Sequence, residues 1–268
     1  MIEIIGFICA AIIGISLGLI GGGGSILTVP VLVYLLGVDP ILATAYSLFI
    51  VGLSALIGGI SYARKGLVAY KTGAVFTIPA LSTVYLTRLY LVPNLPEVLF
   101  TVGAFDVHKH LGILLLFAIL MVIAAISMIR RGSGEQVVNP DHTSGKSNYL
   151  LMVFAGIIVG LLAGMVGAGG GFLIIPALVI FGRLPMKKAI GTSLLIIAVN
   201  SLIGFTGDLQ VGLPIDWIFL LKFAGIAGAG IFIGTFFSEK VNGQQLKKGF
   251  GWFVLAMGCL ILVKELLL

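Results

Sequence analysis

Charge is what this chain most lacks. Only 10% of its 268 residues are Asp, Glu, Lys or Arg, against roughly 25% in a soluble domain that must keep its surface wet. Hydrophobic residues make up 59% and mean hydropathy is +1.21, so the chain cannot cover itself for water. Cysteine is scarce too. Cys9 and Cys259 lie far apart in apolar runs with no Cys-x-x-Cys spacing, which argues against a thiolate metal site and leaves both as expected packing residues. His108, His110 and His142 fall in loops without a ligand-like grouping, so no metal is expected. The glycine clusters are not followed by Lys-Ser or Lys-Thr and lack a strand before them, which excludes a phosphate-binding loop and leaves no cofactor expected. The apolar runs hold no Cys, His and carboxylate constellation, so no catalytic residue is assigned and the chain is not read as an enzyme.

Segments of about ten residues with alternating polarity, the mark of a transmembrane barrel, are also missing. Apolar runs of about 20 residues recur instead from end to end, each long enough to cross a hydrocarbon core of about 30 Å as a helix. The net charge of +6 comes from Lys and Arg in small groups between those runs. That placement marks topology at a lipid surface rather than a nucleic-acid footprint. The first run has Glu3 in place of a basic leader and has a counterpart at Leu150 to Phe181, which argues against a cleaved signal peptide.

What the chain has in abundance is glycine, and it has it twice in the same pattern. Gly18-Leu-Ile-Gly-Gly-Gly-Gly-Ser-Ile-Leu-Thr-Val-Pro30 returns 146 residues later as Gly164-Met-Val-Gly-Ala-Gly-Gly-Gly-Phe-Leu-Ile-Ile-Pro176. The register holds without a gap through Gly66 and Gly212, and 17 of the 50 aligned positions from Gly18 to Leu67 are identical. An internal repeat around a glycine cluster in an apolar chain is the pattern of a transporter with a central substrate site.

The chain therefore reads as an all-α polytopic membrane protein with a first transmembrane repeat over 1–131, a cytoplasmic linker over 132–148 and a second repeat over 149–268. Each repeat is expected to hold one long segment (4–36 and 149–182) and three further helices (41–62, 70–92 and 109–129; 188–206, 216–238 and 248–266), about eight membrane segments in all. A single helix of 33 residues would be about 50 Å long, too long for the bilayer. The consecutive glycines, which favour a break by about 1 kcal/mol each, split each long segment into a hairpin of two short helices that returns to its side of entry. Equivalent loops carry opposite charge: Gly37–Pro40 has no base where Arg183, Lys187 and Lys188 occur, and Arg64, Lys65 and Lys71 stand where Asp208 and Asp216 occur. By the positive-inside rule the two repeats are inverted copies, with both termini outside the cytoplasm. The first half carries about ten extra residues in the loop with Pro93 and Pro96.

Each glycine tip begins a half-helix inside the bilayer, near Ser25 and near Phe172. The first N–H groups there lack intrahelical partners, and the helix dipole adds about half a positive charge, so the end attracts anions. The candidate substrate-binding backbone is Gly22, Gly23, Gly24 and Ser25 in one half, and Ala168, Gly169, Gly170 and Gly171 in the other. The flanking Gly14-xxx-Gly18 and Gly160-xxx-Gly164 pairs are read as close helix contacts instead. The helix after each hairpin adds Ser47 and Ser54, matched by Ser193 and Asn200, with Ser54 expected to face Asn200 across the pseudo-twofold axis. Serines in membrane helices commonly bond to their own backbone, whereas an amide in hydrocarbon needs several partners. Arg88 and Lys222, near helix ends, are expected to snorkel to the interface. No carboxylate falls near the centre of an expected span, and Asp208 is the nearest candidate for proton coupling.

The paired glycine motifs, with Pro30 and Pro176, in a chain of this length resemble the sulfite exporter TauE/SafE family, also called the toluenesulfonate uptake permease family. The resemblance spans nearly the whole chain. It implies a multi-pass permease of the cell inner membrane that moves sulfite, an organosulfonate or a related sulfur-containing anion. The expected partners are that small anion, membrane lipid and a coupling proton or cation, with no nucleic acid. Alternating access by rocking of the two halves is the motion inverted repeats suggest. A passive anion channel of the same fold is the alternative. A membrane-embedded enzyme lacks a constellation to support it, and a cation permease lacks intramembrane carboxylates.

Overall fold

A long apolar segment with consecutive glycines does not stay one helix, and this chain breaks there twice. The computed structural model describes residues 2–20, 22–102, 105–130, 148–167, 169–237 and 243–267. Helix α1 (Ile2–Ile20) stops at the first glycine cluster, and the chain resumes as a 3-10 turn over Gly22–Leu27, a short helix α2 (Thr28–Pro30) and π-helical turns over Val31–Leu35. In the second half α7 (Tyr149–Val166) ends on Gly167, and α8 (Gly171–Ile180) follows. Gly167, Gly169 and Gly170 have φ of +75°, +65° and +68°, backbone that side chains with a Cβ disfavour by about 1–2 kcal/mol. Both breaks thus fall where the sequence places them, but the restart differs. The second is a regular helix from Gly171, whereas the first reaches α-geometry only at Thr28.

Each broken segment folds back on itself. Phe181 O accepts from Asn148 N at 3.2 Å, joining the two ends of the second hairpin. In the first, Gly6 lies against the Leu36 side chain. The two arms are unequal, however. At 1.5 Å per residue α7 is about 27 Å long, nearly a full hydrocarbon depth, and α8 only about 15 Å.

The remaining helices are α3 (Pro40–Arg64), α4 (Tyr70–Leu86) continued by π-helical turns over Thr87–Leu91 and α5 (Val92–Asn94), α6 (Lys109–Arg130), α9 (Met186–Val211), α10 (Trp217–Phe237) and α11 (Gly243–Leu267). Asp39 starts α3 by accepting from Ile41 N and Leu42 N, an N-cap worth about 1 kcal/mol. Among the described residues six helical stretches are long and apolar enough to span a membrane, from Pro40–Arg64 to Trp217–Phe237. Ile8 and Ile12 on α1, and Leu150, Phe154 and Ile158 on α7, are exposed stripes suited to lipid. The chain is an all-α polytopic membrane protein apart from one feature. The long loop of the first half forms an antiparallel hairpin of β1 (Val98–Val102) and β2 (Phe105–His108). The expected linker 132–148 lies almost wholly outside the described residues.

Helices pack by exchange. α1 runs along α10, and α7 runs along α4, while α3 pairs with α9 and α6 with α11. Small residues allow the first two contacts. A Cβ on Gly14 would strike the Ala227 carbonyl, and one on Gly160 would lie 2.5 Å from the Ala80 carbonyl. Gly18 and Gly164 abut Thr235 and Thr87 in the same way. The reading of these four glycines as helix contacts therefore holds. Helix starts match as well: Tyr46 Oη on α3 accepts from Asp216 N before α10, and Thr192 Oγ1 on α9 accepts from Ala69 N before α4.

Candidate functional site

The central pair, α3 and α9, is antiparallel, with Gly52 against Leu202 and Gly59 against Leu195. That register sets Ser54 level with Asn200. At helical spacing Thr44, Ser47, Val51 and Ser54 share one face of α3. The second glycine bend lies along it: a Cβ on Gly167 would sit 2.5 Å from Thr44, and one on Gly169 would sit 3.1 Å from Val51 and 2.8 Å from Ser201 Oγ on α9. The 3-10 turn Gly22–Leu27 packs against both α8 and α9. The two interruptions of the fold are therefore neighbours around the α3–α9 pair. Ala168 lies outside the described residues.

Ser25, Ser47, Ser54, Ser193 and Asn200 are all buried. They differ in how their polar atoms are used. Ser193 Oγ donates to Ile190 O at 2.8 Å, the back-bond expected of a helical serine. Ser47 Oγ, Ser54 Oγ and Asn200 Oδ1 have no hydrogen-bond partner among the described residues, nor do Thr28 Oγ1 and Ser201 Oγ. Each buried polar group left unpaired costs about 1–3 kcal/mol. Ser47 lies between Thr44 and Val51 on the α3 face that meets the second bend, and Ser201 Oγ lies against Gly169.

Arg88 overturns its sequence reading. It does not snorkel: its side chain is fully buried, and Nη1 donates to Thr44 Oγ1 at 3.0 Å and to Asp208 Oδ1 at 3.4 Å. The reason is helix length. α9 continues to Val211, so Asp208, expected in a loop, sits in the helix's last turns and is 2% exposed. A buried guanidinium needs a counter-charge, and Asp208 supplies it. Arg88 Nε and Nη2 and Asp208 Oδ2 lack partners among the described residues. Two opposite charges in otherwise apolar stretches were the signal available for this pair. Lys222, by contrast, is exposed near the start of α10, as is Cys259 on α11, which was expected to pack.

A separate cavity of about 480 Å³ is lined by Val33, Tyr34, Glu97, His108, His110 and Lys264, among others. None of the bend glycines, Ser47, Ser54 or Asn200 lines it. At its edge Tyr34 Oη donates to Glu265 at 2.9 Å, and His110 Nδ1 lies 3.3 Å from Asp39. The second bend is closely packed at Gly167, Gly169 and Gly170.

The family described as Sulfite exporter TauE/SafE matches residues 6–261. A "Probable membrane transporter protein" of Xylella fastidiosa (strain 9a5c) is 30% identical over 263 residues, covering 94% of this chain and 91% of the relative. The "Probable membrane transporter protein YunE" of Bacillus subtilis is 25% identical over 273 residues, covering 94% and 96%. The "Probable membrane transporter protein MJ0441" of Methanocaldococcus jannaschii is 27% identical over 209 residues, covering 76% and 70%. No solved structure matches. Paired glycine motifs, a polytopic helical fold and a match along nearly its whole length agree: the chain belongs to the sulfite exporter TauE/SafE family of membrane transporters.

Proposed function

We propose that this transporter is a secondary permease of the cytoplasmic membrane that carries a small sulfur-containing oxyanion by alternating access. Its substrate site lies between the two glycine bends and the facing stretches of α3 and α9. The observation that carries the reading is that Ser47 Oγ, Ser54 Oγ and Asn200 Oδ1 are buried without a partner among the described residues, on the α3–α9 pair against which the second bend packs. Hydroxyls can turn to donate, and an amide offers its N–H₂ after half a turn. With the N–H groups of Gly171 and Phe172 in the first turn of α8, which helical geometry leaves without an intrahelical acceptor, they form a donor set for an anion with several oxygens.

The helix pairing supports it. The antiparallel α3–α9 pair and the exchanged α1–α10 and α7–α4 contacts are what inverted repeats need for rocking about a central site. In this reading the conformation is a closed one, with Gly167 and Gly169 in tight contact. On this topology the basic loops are cytoplasmic and both termini external.

The test is flux in proteoliposomes loaded with sulfite, thiosulfate or an alkylsulfonate. Saturable flux of at least one of them, lost in Asn200→Ala and weakened in Ser54→Ala, is the expected result. Flux that rises linearly without saturation would mark a passive channel, and no flux of any of the three would reject the reading.

A further inference from the structure

Arg88 has more hydrogen-bonding capacity than its surroundings use. Nη1 alone serves both Thr44 and Asp208, while Nε and Nη2 are buried without a partner among the described residues. Those two nitrogens form the side edge of the guanidinium, two parallel N–H groups spaced for two oxygens of one anionic group. A guanidinium kept only to tie α4 to α9 would turn that edge on Asp208, whose Oδ2 also lacks a partner among the described residues, and satisfy both residues at once. Instead the pair is single and 3.4 Å long.

The local backbone sets Arg88 apart from an ordinary helical residue. It sits in the π-helical turns Thr87–Leu91, geometry that is frequent at functional sites. Gly207 lets α9 approach it closely, since a Cβ there would lie 3.0 Å from Arg88 Cβ. Thr44, which shares Nη1, is also the residue against which the Gly167 bend rests. Thr44 thus links the guanidinium, through its Nη1 corner, to the bend.

We infer that the Nε/Nη2 edge of Arg88 is the charged part of the anion path and takes one oxyanion group through two of its oxygens. Asp208 and Thr44 hold the guanidinium from the Nη1 side. The inference rests on the reading of the bend region as an anion path, and it adds a requirement: the ligand carries two adjacent acceptor oxygens. Sulfite, thiosulfate and sulfonates meet it, as do carboxylates. A halide offers a single centre that both N–H groups must share, and so binds the edge more weakly than an oxyanion with one oxygen for each.

Arg88→Lys keeps a positive charge facing Asp208 and removes the edge. Wild type and R88K in nanodiscs are titrated by calorimetry with sulfite, thiosulfate, methanesulfonate, acetate and chloride. Wild type should bind an oxyanion, R88K should bind it about tenfold more weakly or worse, and chloride at equal concentration should not displace it from wild type. Equal oxyanion affinity in R88K overturns the inference. So does displacement by chloride, a measurement that needs no variant and stands even where R88K fails to fold. Sulfur-anion binding indifferent to R88K overturns the edge and leaves the sulfur reading standing. Arg88-dependent binding of acetate alone does the reverse, and wild type that binds no oxyanion overturns both.

Discussion

Arg88 Nη1 lies 3.4 Å from Asp208 Oδ1, with side chains 0% and 3% exposed, and so ties the π-helical end of α4 to the last turns of α9. A buried pair loses most when one member is removed, because the other is left charged and alone. Arg88→Met and Asp208→Leu should each destabilise the protein by about 3–5 kcal/mol, and the double variant should recover much of the loss. Thermal unfolding of the three variants in one detergent checks this. Additive losses would mean that the two side chains are not coupled.

The exchanged helix contacts depend on missing side chains. Gly160→Leu would drive a branched chain into the Ala80 backbone, and Gly14→Leu into that of Ala227. Overpacking of this kind costs about 1–3 kcal/mol or more. Both variants should show lower folded yield by size-exclusion chromatography. Gly225→Leu, with nothing within 4 Å of its Cβ position, should match wild type.

Gly167 combines a left-handed backbone with contact. Gly167→Ala carries a φ of +75° and a Cβ 2.5 Å from Thr44, so it should lower stability by about 1–2 kcal/mol from the backbone alone. Gly225→Ala, within α10, should raise it by up to about 1 kcal/mol. The sign difference between these two thermal shifts is the readout.

Glu97 in the loop before β1 accepts from Lys109 Nζ at 2.7 Å. That hydrogen bond, with the charge of Lys109, holds its carboxyl below the ordinary 4.5. A depressed carboxyl contributes above its unfolded value and loses the contribution as pH falls through the folded one. The tie between this loop and α6 should thus persist at pH 4.5 and loosen in more acid solution. NMR titration of Glu97 would show a midpoint below 4.5, and Lys109→Ala should move it upward.

How much of this was legible in the sequence depends on whether the signal was local. Both breaks were, because consecutive glycines act on their own backbone, and so was the role of Gly14, Gly18, Gly160 and Gly164 as contacts. The repeat makes Ser54 and Asn200 equivalent, and a central site would set them facing; the α3–α9 register places them level. The Arg88–Asp208 pair was not legible for two reasons. Arg88 lies close enough to the end of its expected helix to look interfacial, and ending the next repeat's helix at 206 put Asp208 in a loop, whereas α9 runs to Val211. Nor does the repeat point to it, since Tyr62 stands in the first half where Asp208 stands in the second. The β1–β2 hairpin was missed because its strands are five and four residues long and no Asn-Gly or Asp-Gly turn announces it.

Selenite tests the central claim most directly, because it copies the shape and charge of sulfite and its selenium can be located by anomalous scattering. The account predicts that, in crystals grown with selenite, the strongest selenium peak lies within hydrogen-bonding reach of the Gly167–Gly171 bend and of Ser47, Ser54 or Asn200. A strongest peak in the cavity lined by Tyr34, Glu97, His108, His110 and Lys264, with none beside the bends, would contradict it.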